Sequence, residues 1–218
     1  MAITEEKVFK CDKCGNEFKD NIYLEVDVNL DGVIANGCVN GDIYKHTCPN
    51  CKEHILFLNP ITYRDSKKLY IIQSGDEETL KEAKKKFKDD VKYDGYKLYG
   101  ARTNTEMIER IHELEAGYDP IYCEVYKWFI GYNYENKRLD NPVLNYLNNV
   151  FIDIDVKGDL AIILETLKRD GKFDYDAVPF DRLAYEKYRS QFYERFKNVD
   201  AFTFDLFDVK NILNDKEE

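Results

Sequence analysis

Two short stretches decide the fold of this chain, Cys11-Asp12-Lys13-Cys14 and Cys48-Pro49-Asn50-Cys51. Each is a Cys-x-x-Cys pair, and two such pairs bring four thiolates within reach of one tetrahedral metal ion. The spacing predicts a structural zinc site, and iron fits the same four-sulfur geometry. Because four thiolates leave no coordination position for water or substrate, the pattern bears on folding and says little about catalysis.

A redox or disulfide role is the alternative for the same cysteine pairs. A thioredoxin-like pair stands at the start of a helix in a βαβ unit, whereas short strand-like runs flank the pairs here. The first six residues lack the basic region and apolar run of a signal peptide, and no window approaches the roughly 20 apolar residues of a membrane helix. We therefore expect a cytoplasmic protein with reduced thiols, which favours a metal site over disulfides.

The overall composition limits the partners of the chain. Of its 218 residues, 44% are hydrophobic, which is enough to build a core. Its 42 acidic residues exceed its 32 basic residues and give a net charge of −10. Such a protein as a whole repels phosphate backbones and anionic membrane surfaces, so any nucleic-acid contact would be local. We expect a protein partner and no membrane association, and the composition does not indicate an oligomeric state.

Residues 1–75 have the pattern of a β lobe. Ile22, Leu24 and Val26 alternate with polar residues, which predicts a strand with one apolar face. An Asn- and Gly-rich segment at residues 29–41 is predicted to be a loop, and residues 61–63 and 69–72 are predicted to form a hairpin. With a cysteine pair at each of two further hairpin turns, this lobe is predicted to be a zinc ribbon.

Residues 76–130 are predicted to be helical. Residues 76–90 are charged, with lysines toward the C-terminal end, as a helix dipole favours. Thr103-Asn104-Thr105-Glu106 has the form of a capping box at the start of a second helix. Asp119-Pro120 then begins a third helix, as N-cap and first-turn proline, which we expect to pair with the second. Residues 131–142 are polar and are predicted to be a connection.

Residues 131–218 are predicted to form an α+β extension. Runs at residues 151–156, 160–167 and 173–178 are separated by turn signals and predict an antiparallel meander. Asp181 is the predicted N-cap of an aromatic-rich helix that follows. The predicted class is therefore α+β, with an N-terminal zinc-ribbon β lobe, a helical pair and a C-terminal antiparallel meander with helices.

Several stretches between Cys11 and Phe129 resemble the CpXC family, which is named for two Cys-Pro-x-Cys motifs near the N-terminus. The resembling residues are Ile22-Tyr23-Leu24-Glu25-Val26-Asp27-Val28-Asn29, Gly41-Asp42-Ile43-Tyr44, Cys48-Pro49-Asn50-Cys51, Tyr63-Arg64-Asp65, Lys67-Lys68-Leu69, Asn104, Glu106, Ile108, Glu109, Ile111 and Glu115-Ala116-Gly117-Tyr118-Asp119. The first cysteine motif lacks the proline, and Lys52 replaces the glycine usual after the second. The resemblance implies a zinc-ribbon domain joined to an α+β extension, a bacterial or archaeal source, and no catalytic residues.

The other cysteines and the histidines are weaker candidates for the site. Cys38 and Cys123 lie outside the pairs, and a cysteine within an amphipathic helix, as Cys123 is, usually packs as a small hydrophobe. His46 and His54 each lie within three residues of a paired cysteine and could replace or hydrogen-bond a sulfur, but four thiolates already complete the shell. The predicted metal ligands are Cys11, Cys14, Cys48 and Cys51.

Two alternative functions remain open at this point. Aspartates two apart on a strand share a face, so Asp153 with Asp155, or Asp174 with Asp176, could hold a divalent metal for an enzyme. The arginines and tyrosines of residues 182–196, or the lysines around Lys84, could contact nucleic acid locally. The leading prediction is a zinc-binding protein-interaction module, to which the sequence assigns no catalytic residues.

Overall fold

The computed structural model describes residues 1–141, 144–202 and 204–214. The chain divides into two compact units, Met1–Ile108 (unit 1) and Glu109–Glu218 (unit 2). Both units combine strands with helices in the described residues, and the cysteine motifs lie with the N-terminal sheet, so the predicted α+β class is confirmed.

Unit 1 is built on a five-stranded mixed sheet. Its elements in chain order are β1 (Ile3–Lys10), β2 (Glu17–Asp27), α1 (Gly32–Asn40), β3 (Lys45–Thr47), β4 (His54–Leu56), β5 (Thr62–Asp65), β6 (Tyr70–Ser74), α2 (Glu77–Asp89), β7 (Lys97–Ala101) and α3 (Asn104–Glu115), within which the unit boundary falls. The sheet order is β1-β2-β5-β6-β7, and β3 and β4 form a separate two-stranded ribbon. The predicted hairpin is confirmed, because β5 and β6 pair antiparallel.

The core of unit 1 follows from the strand and helix patterns in the sequence. Val26, Ile61, Ile71 and Ile72 are fully buried. Helix α2 connects the parallel strands β6 and β7, as parallel pairing requires a crossover. It begins after the N-cap Asp76, whose side chain accepts from the Thr79 amide at 2.9 Å.

The prediction of a loop at residues 29–41 is wrong, because helix α1 occupies most of this segment. Its glycines had suggested a loop, but Gly37 has a packing role. A Cβ on Gly37 would lie 2.6 Å from Ile43 Cγ2, so only glycine allows this close approach. Ala35 and Cys38 are buried on the same helix, and Gly41 ends it in the left-handed conformation at φ 79°.

Unit 2 contains the predicted meander and the remaining helices. Its further elements are α4 (Pro120–Asp140), β8 (Tyr146–Ile154), β9 (Leu160–Leu167), β10 (Phe173–Pro179), α5 (Arg182–Phe196) and α6 (Leu206–Asn214). The strands pair antiparallel in the order β10-β9-β8, which confirms the meander. Helix α4 packs against α5, α6 and β8, and α5 begins after its predicted cap Asp181, which accepts from the Leu183 amide at 2.8 Å.

The prediction of a polar connection at residues 131–142 is wrong for most of that segment, because α4 continues to Asp140. Gly131 is buried within the helix, and a Cβ there would lie 3.3 Å from Val150 Cγ2 on β8. The glycine therefore allows a close approach to the meander and does not end the helix. Pro142, at the end of the expected connection, lies outside the described residues.

Candidate metal centre

The two cysteine pairs lie at the turns of two antiparallel hairpins in unit 1. Cys11 and Cys14 follow β1 and precede β2, whereas Cys48 and Cys51 lie between β3 and β4. Hairpin turns suit a metal site, because paired strands hold both ends of each short cysteine loop in place.

The backbone of both turns has the same hydrogen-bond pattern. In the first, the Cys11 amide donates to the Asn16 carbonyl at 2.9 Å and the Gly15 amide donates to the Cys11 carbonyl at 2.8 Å. In the second, the amides of Cys48 and Lys52 make the equivalent bonds at 2.9 and 3.0 Å. The two loops are therefore equivalent knuckles, although only the first has glycine after its second cysteine.

The four sulfur atoms converge at the spacing of a tetrahedral metal site. Sγ of Cys11 lies 3.6 Å from Sγ of Cys51, and Sγ of Cys14 lies 3.7 Å from Sγ of Cys48. All four sulfurs lie within 4.8 Å of one another. Zinc–sulfur bonds of about 2.3 Å in a tetrahedron place the sulfurs about 3.8 Å apart. A disulfide would need about 2.05 Å, and every cysteine in the described chain is free. The donor set thus fits one metal ion.

The four thiols differ in burial, and hydrogen bonds lower the pKa of two of them. Cys11 and Cys48 are fully buried, whereas Cys14 is exposed and Cys51 is half-buried. Hydrogen bonds from the backbone of Cys51 and Asn50 lower the pKa of Cys48 to about 6, against the effect of burial. A backbone hydrogen bond from Asn16 is the main cause that lowers the pKa of Cys14. The backbone therefore favours thiolates, the form that binds metal.

Cys51 has the opposite tendency. The backbone of Glu53 lowers the pKa of its thiol, but burial and the other three thiols outweigh this and raise it to about 12. Thiolates this close together repel one another, so without a cation the group retains protons. A bound divalent ion would remove this repulsion and allow all four sulfurs to ionise.

Neighbouring side chains support the knuckles without joining the ligand set. Lys13 pairs with Glu53 at 2.7 Å across the two knuckles. His46 is buried against Phe9, with ring centroids 4.1 Å apart, and its Nδ1 lies 3.0 Å from a carboxylate oxygen of Asp20. His54 contacts Thr47 on the neighbouring strand. Neither histidine belongs to the group of converging ligand atoms.

Two of the stretches that resemble the CpXC family meet beside the sheet. Arg64 on β5 forms an ion pair with Asp27 on β2 at 3.0 Å, and Asn29 donates to Asp65 at 2.8 Å. The Ser66 hydroxyl also donates to Asp27, at 3.1 Å. Asp27 and Asp65 are buried, and these bonds satisfy their carboxylates while joining the ends of two strands. The motif residues therefore have a structural role here.

The strand aspartates do not form a comparable site. Asp153 lies 3.5 Å from the Nε2 atom of His112, and Asp174 pairs with Lys168 at 3.0 Å. Asp155 accepts the amides of Lys157 and Asp159 in the turn after β8. In the described part of the chain, the four cysteines are the only group of three or more metal-ligating side chains that comes together.

The aromatic residues of α5 are largely used in packing. The ring of Phe129 on α4 stacks on Tyr188 at 4.4 Å and on Phe192 at 5.3 Å. These rings lie between two helices and are not available as a platform for bases, which favours a packing role for the aromatic residues of α5.

One cluster of polar residues, buried in unit 2, was not predicted from the sequence. Glu109, Arg110 and Glu113 of α3 meet Glu124 and Lys127 of α4 away from solvent. A signal was present in the sequence, because Glu124 and Lys127 are the only charged residues within the largely apolar run at residues 120–131. Charged residues inside an apolar stripe indicate buried pairing.

These features define a class of protein in which two thiolate knuckles on β hairpins gather four cysteines at the edge of an α+β unit. Comparison with protein families makes the assignment specific. A model of the CpXC protein family matches residues 9–127, and this chain belongs to that family. Neither the curated proteins nor the solved structures contain a significant match to the chain. Among the described residues, none of the helices combines the length and apolarity needed to cross a membrane.

Proposed function

We propose that Cys11, Cys14, Cys48 and Cys51 bind one structural Zn²⁺ ion and that the metal-loaded unit 1 serves as a protein-binding module. The sulfur geometry carries this proposal, because separations of 3.6 and 3.7 Å match a tetrahedral thiolate site. Four thiolates complete the coordination shell and leave no position for substrate, which supports a structural role for the metal. Iron is the alternative ion and is distinguished by its visible absorption.

The proposed role in protein binding is supported by the net charge of the chain and by the contacts of the residues considered for other functions. The net charge of −10 disfavours nucleic acid and anionic membranes as partners. Aromatic rings of α5 pack against α4, and the strand aspartates make local contacts. We infer a cytoplasmic location in a bacterial cell, where reduced thiols remain free for zinc.

Metal counting tests the metal site directly. We expect native mass spectrometry of untagged protein, purified without chelators, to show one zinc per chain. Cys11→Ser and Cys51→Ser should each lose the metal, because each removes a thiolate from the tetrahedron. Cys38→Ala is the matched control, since Cys38 is equally buried but lies outside the knuckles, and it should retain the metal. Retention of a full equivalent by Cys51→Ser would contradict the assignment.

The binding role is tested with the same variants. The same spectra report subunits and retained ligands, and a protein partner should remain with wild-type protein and with Cys38→Ala but not with Cys11→Ser. Binding to single- or double-stranded DNA at low salt, decreasing steeply with added salt, would instead support the nucleic-acid alternative.

A further inference from the structure

Five charged side chains form the most deeply buried polar group of unit 2 described here. Glu109, Arg110 and Glu113 lie on α3, and Glu124 and Lys127 lie on α4. Each of these side chains is at most 4% exposed, and that of Glu113 is fully buried. We call this group the charge cluster. Charges at such depth are retained only when partners compensate them.

The two cations join the cluster together. Arg110 donates to Glu113 at 2.9 Å, to Glu124 at 2.5 Å and to the carbonyl oxygen of Phe204 at 3.3 Å. Lys127 donates to Glu124 at 2.9 Å. Glu124 therefore contacts both cations, and Arg110 links α3 to α4 and to the segment before α6.

The other two carboxyl groups differ in their partners. Glu109 accepts from Lys127 at 2.7 Å and from the backbone amide of Ile152 on β8 at 2.6 Å. Glu113 accepts only from Arg110, through Oε2, and its Oε1 is buried without a hydrogen-bond partner among the described residues. Glu113 is thus the least compensated of the three acids.

The count of charges points to one extra proton. Three carboxylates and two cations would leave one negative charge unbalanced, whereas one neutral acid gives equal numbers of both signs. An unpartnered neutral hydroxyl costs less in a dry interior than an unpartnered charged oxygen. We propose that the charge cluster stabilises folded unit 2 by proton linkage. Glu113 carries the proton, and loss of this proton loosens α3 from α4, β8 and the segment before α6.

The pKa directions restrict the extra proton to Glu113 and Glu109, because the pKa of each is raised. Burial raises the pKa of Glu113 from its ordinary 4.5 to about 8. Burial also opposes ionisation of Glu124, but Lys127 and Arg110 lower its pKa. The pKa of Glu109 is raised, chiefly by burial, yet its two donors favour the ionised form, so geometry assigns the proton to Glu113. The thiol of Cys123 on α4 is buried beside these groups, and its raised pKa keeps it neutral.

The direction of the pH effect follows from the raised pKa. Folded unit 2 retains the Glu113 proton at a pH where the unfolded chain has already lost it. This contribution to stability is therefore complete below pH 4.5 and is lost as the pH rises toward about 8. Within that window, the folding equilibrium constant falls by up to about tenfold for each pH unit from this one group.

Urea unfolding of the full, zinc-loaded chain tests the proton-linked stability of unit 2. Trp128 is the only tryptophan and lies on α4, so its fluorescence reports on unit 2. Glu113→Gln keeps an acceptor for Arg110 but cannot ionise. The ratio of its folding constant to that of wild type should rise by up to about tenfold per unit between about pH 5.5 and about pH 7.5. A ratio that stays constant over this range would overturn the proposal.

A matched variant separates proton linkage from general loss of buried pairing. Glu124→Gln removes the acid that contacts both cations, and its folding constant should fall below that of wild type throughout the same pH range. Should Glu113→Gln fail to fold, the carboxyl carbon of Glu113 can be followed by NMR in wild-type protein. A signal from a neutral Glu113 carboxyl at pH 6.5 supports the proposal, and a signal from an ionised carboxylate at that pH contradicts it.

Discussion

At the scale of single residues, the backbone of the two knuckles shows the structural consequence of one departure from the family pattern. Gly15 and Lys52 occupy equivalent positions, with φ values of 71° and 63°. Both conformations are left-handed, which glycine adopts freely and a residue with a Cβ does not. Lys52 is exposed, so its side chain gains little packing in return. The second knuckle therefore carries local strain that the first avoids.

We expect Lys52→Gly to stabilise the zinc-loaded protein by about 0.5–1 kcal/mol, because it relieves the left-handed strain but increases the entropy of the unfolded chain. Chemical denaturation of the metal-loaded protein measures the change. Lys52→Ala is the control, since it removes the charge and keeps the Cβ, and it should give no gain. An equal gain in both variants would mean that the lysine charge, not its backbone, is unfavourable.

At the scale of elements, α1 shows how a glycine within a helix can reflect packing. Gly37 faces Ile43, where there is no space for a methyl group, whereas a Cβ on Gly32 in the same helix would meet none of the described atoms within 4 Å. The two glycines differ in their neighbours but share a helix. They therefore offer a direct comparison between packing and helix propensity.

We predict that Gly37→Ala destabilises the protein by about 1–3 kcal/mol, the usual cost of overpacking a filled site. Gly32→Ala should be neutral or stabilise by up to about 1 kcal/mol, because alanine has the higher helix propensity. Thermal unfolding of both variants with bound zinc gives the comparison. Ile43→Ala should reduce the penalty of Gly37→Ala in the double variant, and an unchanged penalty would argue against this contact as its cause.

At the scale of the whole molecule, the two units depend on different interactions for their stability. Unit 1 contains both knuckles, so part of its structure is linked to metal binding. Unit 2 has its own apolar core, which includes Val125, Ile162, Phe196 and Val209, and also contains the charge cluster. Removal of the metal should therefore affect the two units unequally.

We expect a zinc chelator to disorder the knuckles and the β3–β4 ribbon while leaving unit 2 folded. Structural zinc contributes about 10–16 kcal/mol in zinc-finger peptides, so its loss is large compared with the stability of a small ribbon. Amide NMR spectra should lose dispersed signals from residues 11–16 and 45–56, while Trp128 fluorescence remains unchanged. Cys11→Ser, already without metal, should not respond to chelator. A red shift of Trp128 emission on chelation of wild type would contradict this prediction.

Much of the fold follows from local patterns that need no knowledge of distant contacts. Asp181 caps its helix as predicted, because a capping side chain contacts amides only two or three residues away. The three strands of the meander were predicted from alternation and turn residues for the same reason. The segments at residues 29–41 and 131–142 were mispredicted, because Gly37 and Gly131 lie close to Ile43 and Val150, partners that local sequence does not show.

The sequence alone determined the four candidate ligands, the α+β class and the family resemblance, since cysteine spacing, capping residues and periodicity are local properties of the chain. Only the tertiary structure showed that the four sulfurs meet at metal-binding distance and that Glu113 is buried with one unpartnered oxygen. These facts depend on which faces of distant elements pack together. The free energy of that packing comes from surfaces that the chain brings together only when it folds.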